Sequence, residues 1–339
     1  MSAVRRSLVS LLALIALPAH ATEFGVVTKL DQGAQGLGQI GLIRQAGVSI
    51  NRDQVTWREV EVQRGVLGWP PNTSALYATL KQNGIRTSVV LTTNNPNYDG
   101  GRFATSPAAI AAYARFAAHV ARQLRGQTIA FEIGNEWRPT QAINGPTTMV
   151  DYVNLFVAAA NAIHAADPNA KVVADPAIFG YLPSGAIPGA TTTVGAAARR
   201  GLRVADGVVI HQYPYQYGGM KTLADAQAYL TTAMTRRAAW LETLAGKPVP
   251  LYVTEYGWPL LAGRNLTQAE QATQIVETTR RLSAMPFVRV AIVYELIDSC
   301  VNKAVIECTF GLYERGPQST ITAKPALVKL RQAVEAAAR

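Results

Sequence analysis

From residue 22 onward, short runs of apolar and β-branched residues alternate with longer stretches in which apolar side chains recur every three or four positions. The short runs have the length and composition of strands buried on both faces, and the longer ones have the period of helices with one apolar stripe. Strands are predicted at 23–29, 48–52, 86–92, 128–136, 170–176, 205–213, 249–257 and 288–296. A loop and a helical stretch follow them, for example 107–124 after the third and 222–244 after the sixth, and a last helix over 324–339 ends the chain. Eight β-α repeats with no Ser/Gly-rich linker predict an α/β protein, a (β/α)8 TIM barrel forming one domain over 22–339.

A second arrangement of the same elements is a doubly wound open sheet. Gly36-Leu-Gly-Gln-Ile-Gly41 fits Gly-x-Gly-x-x-Gly after a first strand, and Asp53 stands just past the second. Dinucleotide-binding folds place a phosphate-cradling loop and a ribose-binding acid in this way. The motif is short and recurs by chance, and a loop before a first helix uses the same glycines.

Residues 1–21 read as a signal peptide and lie outside the fold argument. Arg5 and Arg6 precede an apolar run of about a dozen residues, and Ala19-His-Ala21 offers a small-x-small cleavage site. The run is shorter than the roughly 20 residues that span a bilayer, so no stable membrane anchor is expected. The arginine pair suits an ordinary basic start or twin-arginine export. A periplasmic or secreted location follows as an expectation, and in an oxidising compartment Cys300 and Cys308 would close a short disulfide loop. Their spacing matches neither a redox Cys-x-x-Cys nor a zinc pattern, so no metal site and no cofactor are expected.

The full chain carries a net charge of +10, and loss of the two leader arginines takes it to +8. That balance favours acidic partners such as an anionic polysaccharide, although a soluble basic surface has the same sum. The arginines are scattered and no aromatic RNA-binding motif accompanies them, so no nucleic-acid partner is expected. Nothing in the chain calls for a partner subunit, and a monomer is expected.

The segment "FEIGNEW" at 131–137 places Glu132 and Glu136 four residues apart. Its aromatic and β-branched content, Gly134 and the nearby Pro139 point to a strand. On a strand the two carboxylates share a face but stand roughly 13 Å apart. A pair working on one glycosidic bond stands about 5 to 9.5 Å apart. In such barrels catalytic groups sit at the C-terminal strand ends, where Glu136 falls, whereas Glu132 falls inside. Glu136 therefore needs a partner from another strand, and Glu255 in "LYVTEYGWP" is the strongest candidate. Asp53, Asp175, Glu295 and Asp298 also stand near strand ends, in less aromatic settings. Glu132, buried in the barrel, requires a cation, for which Arg52 is a candidate.

Taken together, "EIGNEW" ending the fourth strand, "HQY" the sixth and "TEYGW" the seventh resemble glycoside hydrolases of clan A. The chain is most similar to family 39 and to exported enzymes associated with bacterial exopolysaccharides, over nearly all of 22–339. The resemblance implies Glu136 as general acid/base and Glu255 as nucleophile. It further implies Asn135 bonding the hydroxyl beside the reacting carbon, Tyr213 and Arg52 supporting the nucleophile, and His211 lining the sugar subsite. Many clan A enzymes carry tryptophan at the end of the eighth strand, where Tyr294 stands here.

Such chemistry needs a protonated acid and an ionised nucleophile side by side, so their surroundings must differ. Trp137 and the charge of Glu255 would favour the acid form of Glu136, while Arg52 and Tyr213 would favour the carboxylate of Glu255. Trp57, Trp69, Trp137, Trp258, Tyr98, Tyr215 and Tyr217 fall near strand ends, where flat rings suit the C–H faces of sugars or pack under loops. The implied activity is a retaining β-glycosidase acting on a polysaccharide or oligosaccharide. Endo action suits the long loops at 54–72 and 94–106 if they wall a cleft, and exo action suits them if they close a pocket. A catalytically silent carbohydrate-binding barrel is the alternative, since fold does not guarantee activity.

Overall fold

Eight parallel strands close on themselves in chain order: β1 (Glu23–Val27), β2 (Ile50–Val55), β3 (Arg86–Leu91), β4 (Thr128–Ile133), β5 (Val172–Ala174), β6 (Gly207–Gln212), β7 (Leu251–Tyr256) and β8 (Val288–Val293). The computed structural model describes residues 21–30, 38–137, 147–175, 193–216, 222–260 and 266–338; the expected signal peptide lies almost wholly outside them. Pairing of β1 with both β2 and β8 leaves no free sheet edge, which overturns the open-sheet arrangement. Asp53 has a structural task instead: its Oδ2 accepts hydrogen bonds from Thr28 Oγ1 (3.0 Å) and Leu30 N (2.7 Å), fixing the chain as it leaves β1.

The helices are α1 (Gln39–Gln45), α2 (Trp57–Val60), α3 (Pro71–Gln82), α4 (Pro107–Gln123), α5 (Met149–Ala166), α6 (Thr193–Val204), α7 (Leu223–Ala245), α8 (Gln268–Ser283) and α9 (Pro325–Ala337). Their starts are written in the sequence. Ser106 caps α4 by accepting from Ala109 N, with Pro107 in the first turn, and Thr148, Thr222 and Thr267 each form a reciprocal capping box with an acid three residues on. Helix α4 then buries Ala109, Ala112, Tyr113, Phe116, Ala117 and Val120 on one stripe against the sheet.

Alternation along the strands divides the core in two. Val27, Ile50, Ala130, Val173, Val209, Tyr252, Val290 and Ile292 pack with one another inside the barrel. Their strand neighbours, such as Phe131, Ile133, Ile210 and Val253, join the larger layer under the helices. After β8 a disulfide joins Cys300 to Cys308, and a short hairpin, β9 (Tyr313–Arg315) with β10 (Ile321–Ala323), leads into α9. Among the described residues no helix is long and apolar enough to cross a membrane.

Candidate active site

Two residues on from the inward-facing Ile50 of β2 stands Arg52, and two on from the inward-facing Ala130 of β4 stands Glu132, so alternation turns both into the barrel. There Arg52 Nε donates to Glu132 Oε1 and Oε2 (2.9 and 3.1 Å) and Nη2 donates to Oε2 (2.9 Å). Ser88 Oγ (2.7 Å) and Thr254 Oγ1 (3.1 Å) complete the donors around Glu132. Burial alone would raise this carboxyl, but the Arg52 charge and these bonds hold it below its ordinary 4.5. For Arg52, too, burial opposes the charge, and Glu132 and Glu255 outweigh it, raising the guanidinium well above its ordinary value.

Arg52 also reaches upward. Its Nη1 donates to Glu255 Oε1 (2.7 Å) and its Nη2 to Asn135 Oδ1 (2.7 Å). A regular β7 would point Thr254 and Glu255 to opposite faces. The strand instead carries one extra residue: Ile210 pairs with Val253 while the next residue, His211, pairs with Glu255, and β8 shows the same offset between Val253 and Tyr256. This bulge lets adjacent Thr254 and Glu255 both serve the network around Arg52. The other Glu255 oxygen, Oε2, accepts a hydrogen bond from Tyr213 Oη. Burial, and then the Glu255 charge, push the Tyr213 phenol far above its ordinary 10.0, so it remains a donor.

The strand predicted to run to residue 136 ends at Ile133. Gly134 (φ 78°) and Glu136 (φ 46°) curl the chain at the barrel mouth, a turn that the absence of a Cβ at Gly134 permits. Glu136 is thereby brought to His211, whose Nδ1 lies 2.8 Å from Glu136 Oε1 and 3.6 Å from Glu255 Oε2. One ligating atom each from Glu136, His211 and Glu255 falls within 4.8 Å of the others. Burial would lower the imidazole, but the Glu255 charge and the bond to Glu136 prevail and raise it above 6.5. A His with two carboxylates is also a cation-ligand set, but here Arg52 and Tyr213 already engage both oxygens of Glu255.

The aromatic residues sort differently from the expectation. Trp57 and Tyr98 are buried and stacked at 5.1 Å, and Trp57 Nε1 and Tyr98 Oη both donate to Glu61, so this group anchors the loop after β2. Trp69 packs on Tyr77 and His119, and Trp240 lies in α7. Trp258, expected at the sugar, is fully buried, with Nε1 donating to Thr278 on α8 (2.9 Å); it presents no face to the mouth. Trp137 is buried against Phe103 and Tyr152 (5.6 and 5.5 Å). Tyr217 lies outside the described residues. The rings grouped around Glu255 are Tyr213, Tyr215, Tyr294 and Phe310, in edge and tilted contacts of 5.2–6.1 Å. Phe310, Ser88 and Thr254 had no distinguishing sequence signal: an apolar residue near the disulfide and two hydroxyls within strands.

No protein-family model matches the chain, and no curated protein matches it. Solved structures do. A family 39 glycoside hydrolase from Bacteroides cellulosilyticus WH2 superposes with TM-score 0.69 at 20% identity, over 93% of this chain and 64% of that one. A GH5_18 protein from Streptomyces cattleya, in complex with GlcNAc, gives TM-score 0.71 at 16% identity, over 94% and 81%. The exo-beta-1,4-mannosidase Op5Man5 from Opitutaceae bacterium strain TAV5 gives 0.67 at 16%, over 95% and 61%. The chain thus spans about two thirds of the length of the family 39 structure, and it shares with these clan A glycoside hydrolases a common barrel at low identity.

Proposed function

We propose that the protein is an exported retaining glycoside hydrolase that cleaves β-glycosidic bonds in a polysaccharide or oligosaccharide, with Glu136 as acid/base and Glu255 as nucleophile. The observation that carries this reading is the approach of the two carboxylates, with His211, to within 4.8 Å at the ends of β4 and β7. Retaining enzymes hold such a pair about 5 to 5.5 Å apart, whereas inverting ones need about 6.5 to 9.5 Å to admit a water.

In the first step Glu255 attacks the anomeric carbon while Glu136 gives its proton to the departing oxygen, leaving a glycosyl ester on Glu255. Arg52 and Tyr213, held on the Glu255 oxygens, keep the attacking carboxylate in place. In the second step Glu136, now ionised, takes a proton from water, which displaces Glu255 and restores the starting state. Asn135, fixed by Arg52, stands beside Glu136 to bond a hydroxyl of the reacting sugar. Substrate spread over the loops at 54–72 and 94–106 gives an endo-acting enzyme on a bacterial exopolysaccharide.

The test is trapping with a 2-deoxy-2-fluoro glycosyl fluoride followed by peptide mass mapping. A fluoroglycosyl adduct on the peptide containing Glu255 supports the assignment. An adduct on another residue, or hydrolysis with inversion at the anomeric carbon, overturns it.

A further inference from the structure

The loop after β8 carries a feature that the chain's net charge does not anticipate. Glu307 lies one residue before Cys308, in the loop closed by the Cys300–Cys308 disulfide, and Tyr294 Oη donates to its Oε2 at 3.4 Å. That loop is held from below. Asp298, fully buried, binds Lys303 (2.6 Å) and the buried Lys324 (2.8 Å), and its Oδ1 accepts from Gly311 N (2.7 Å). Gly311 has no room for a Cβ, which would stand 2.2 Å from Asp298 N. The position of Glu307 is therefore set by a disulfide and a buried ion cluster rather than by its own exposed side chain.

Two cations beside these groups are already matched. Arg52 is shared by Glu132 and Glu255, and Lys29, 6.0 Å over the Tyr294 ring, pairs with Glu295 at 3.1 Å and bonds Ser299. Among the described residues no ion pair reaches Glu307. Its partner Tyr294 and the half-buried Tyr215 each pack on Tyr213, at 6.1 and 6.0 Å between rings, and Tyr213 donates to Glu255. Aromatic faces and a carboxylate rim form a recess that invites a cationic occupant.

We propose that this recess, bounded by Tyr294, Tyr215 and Glu307, selects a sugar bearing an ammonium group, a hexosamine with a free amine, over its neutral and carboxylated counterparts. The proposal rests on the glycosidase reading and sharpens it. The basic surface and the site then have different preferences, because a partner of the whole molecule responds to the net charge, whereas a bound sugar responds to groups a few ångströms away.

Binding separates this inference from the catalytic one. Isothermal titration with chitosan oligomers, cello-oligomers and oligogalacturonate at pH 6 reads selectivity whether or not hydrolysis follows, and hydrolysis is scored in parallel. The expected result is tightest binding of the chitosan oligomers, a preference weakened by salt and reduced about tenfold by Glu307→Gln, the scale of a charge-assisted hydrogen bond. Glu335→Gln, the same change of charge on the exposed face of α9, leaves the preference intact. Equal affinities, tighter oligogalacturonate, no binding of chitosan oligomers, or a preference untouched by Glu307→Gln overturns the proposal. Selective binding without hydrolysis counts against the glycosidase reading and not against this one.

Discussion

Arg52 and Glu132 meet inside the barrel through three hydrogen bonds of 2.9–3.1 Å, and the same guanidinium continues to Glu255 at 2.7 Å. Glu132 thus orients a proposed nucleophile that it never touches. Removing one partner of a buried ion pair costs about 3–5 kcal/mol. Glu132→Gln keeps the shape and some acceptor capacity, so a loss near the lower end, about 3 kcal/mol, is expected in denaturant unfolding. The variant is expected to turn over more slowly yet still form the covalent adduct on Glu255. A variant that folds with wild-type stability, or that folds well and never forms the adduct, contradicts this role.

Tyr213 is expected to act on the reaction and little on the fold. Its phenol donates to Glu255 Oε2, and Tyr213→Phe keeps the ring contacts with Tyr294 and Phe310 while deleting that donor. A hydrogen bond to a charged group is worth about 1.5–3 kcal/mol, so kcat should fall by about tenfold to a hundredfold with a melting temperature close to wild type. Steady-state kinetics beside a thermal melt check both halves.

Stability should depend on pH at both ends for different reasons. Glu132 sits below 4.5 in the folded protein, so its contribution is present above 4.5 and is lost as the pH falls through the folded value. His211 is raised above 6.5, against burial, by Glu255 and Glu136, so its contribution is complete below 6.5 and is lost as the pH rises through the folded value. His211→Asn should therefore cost more stability at pH 5.5 than at pH 9, and Glu132→Gln more at pH 7 than at pH 3. Unfolding curves across this range that run parallel to wild type would refute the assignment.

The eight strands were readable because each carries an apolar, β-branched run flanked by helical periodicity, and the "EIGNEW", "HQY" and "TEYGW" segments pointed to the three strand ends at which Glu136, His211 and Glu255 meet. Glu132 and Glu136 are apart as expected, but Glu136 stands on a turn beyond the end of β4 rather than on the strand itself. The bulge that turns Glu255 inward beside Thr254 has no sequence signature, because it depends on the registers of β6 and β8 against β7. Burial of Trp57 and Trp258 was equally hidden: an indole near a strand end has the same letter whether it faces a sugar or, as here, satisfies its N–H on Glu61 or Thr278 beneath a loop. The clamp on the loop bearing Glu307 depends on Lys324, which pattern alone places at the start of an ordinary surface helix.

The central claim is that Glu255 attacks and Glu136 shuttles the proton, and azide rescue reads both roles by stereochemistry. With an activated aryl β-glycoside, Glu255→Ala plus azide should release the α-glycosyl azide, because azide enters the space of the missing nucleophile from the opposite face. Glu136→Ala plus azide should give the β-glycosyl azide by intercepting the ester on Glu255. Rescue of neither variant while the wild type is active, or the two anomers exchanged between them, would contradict the account.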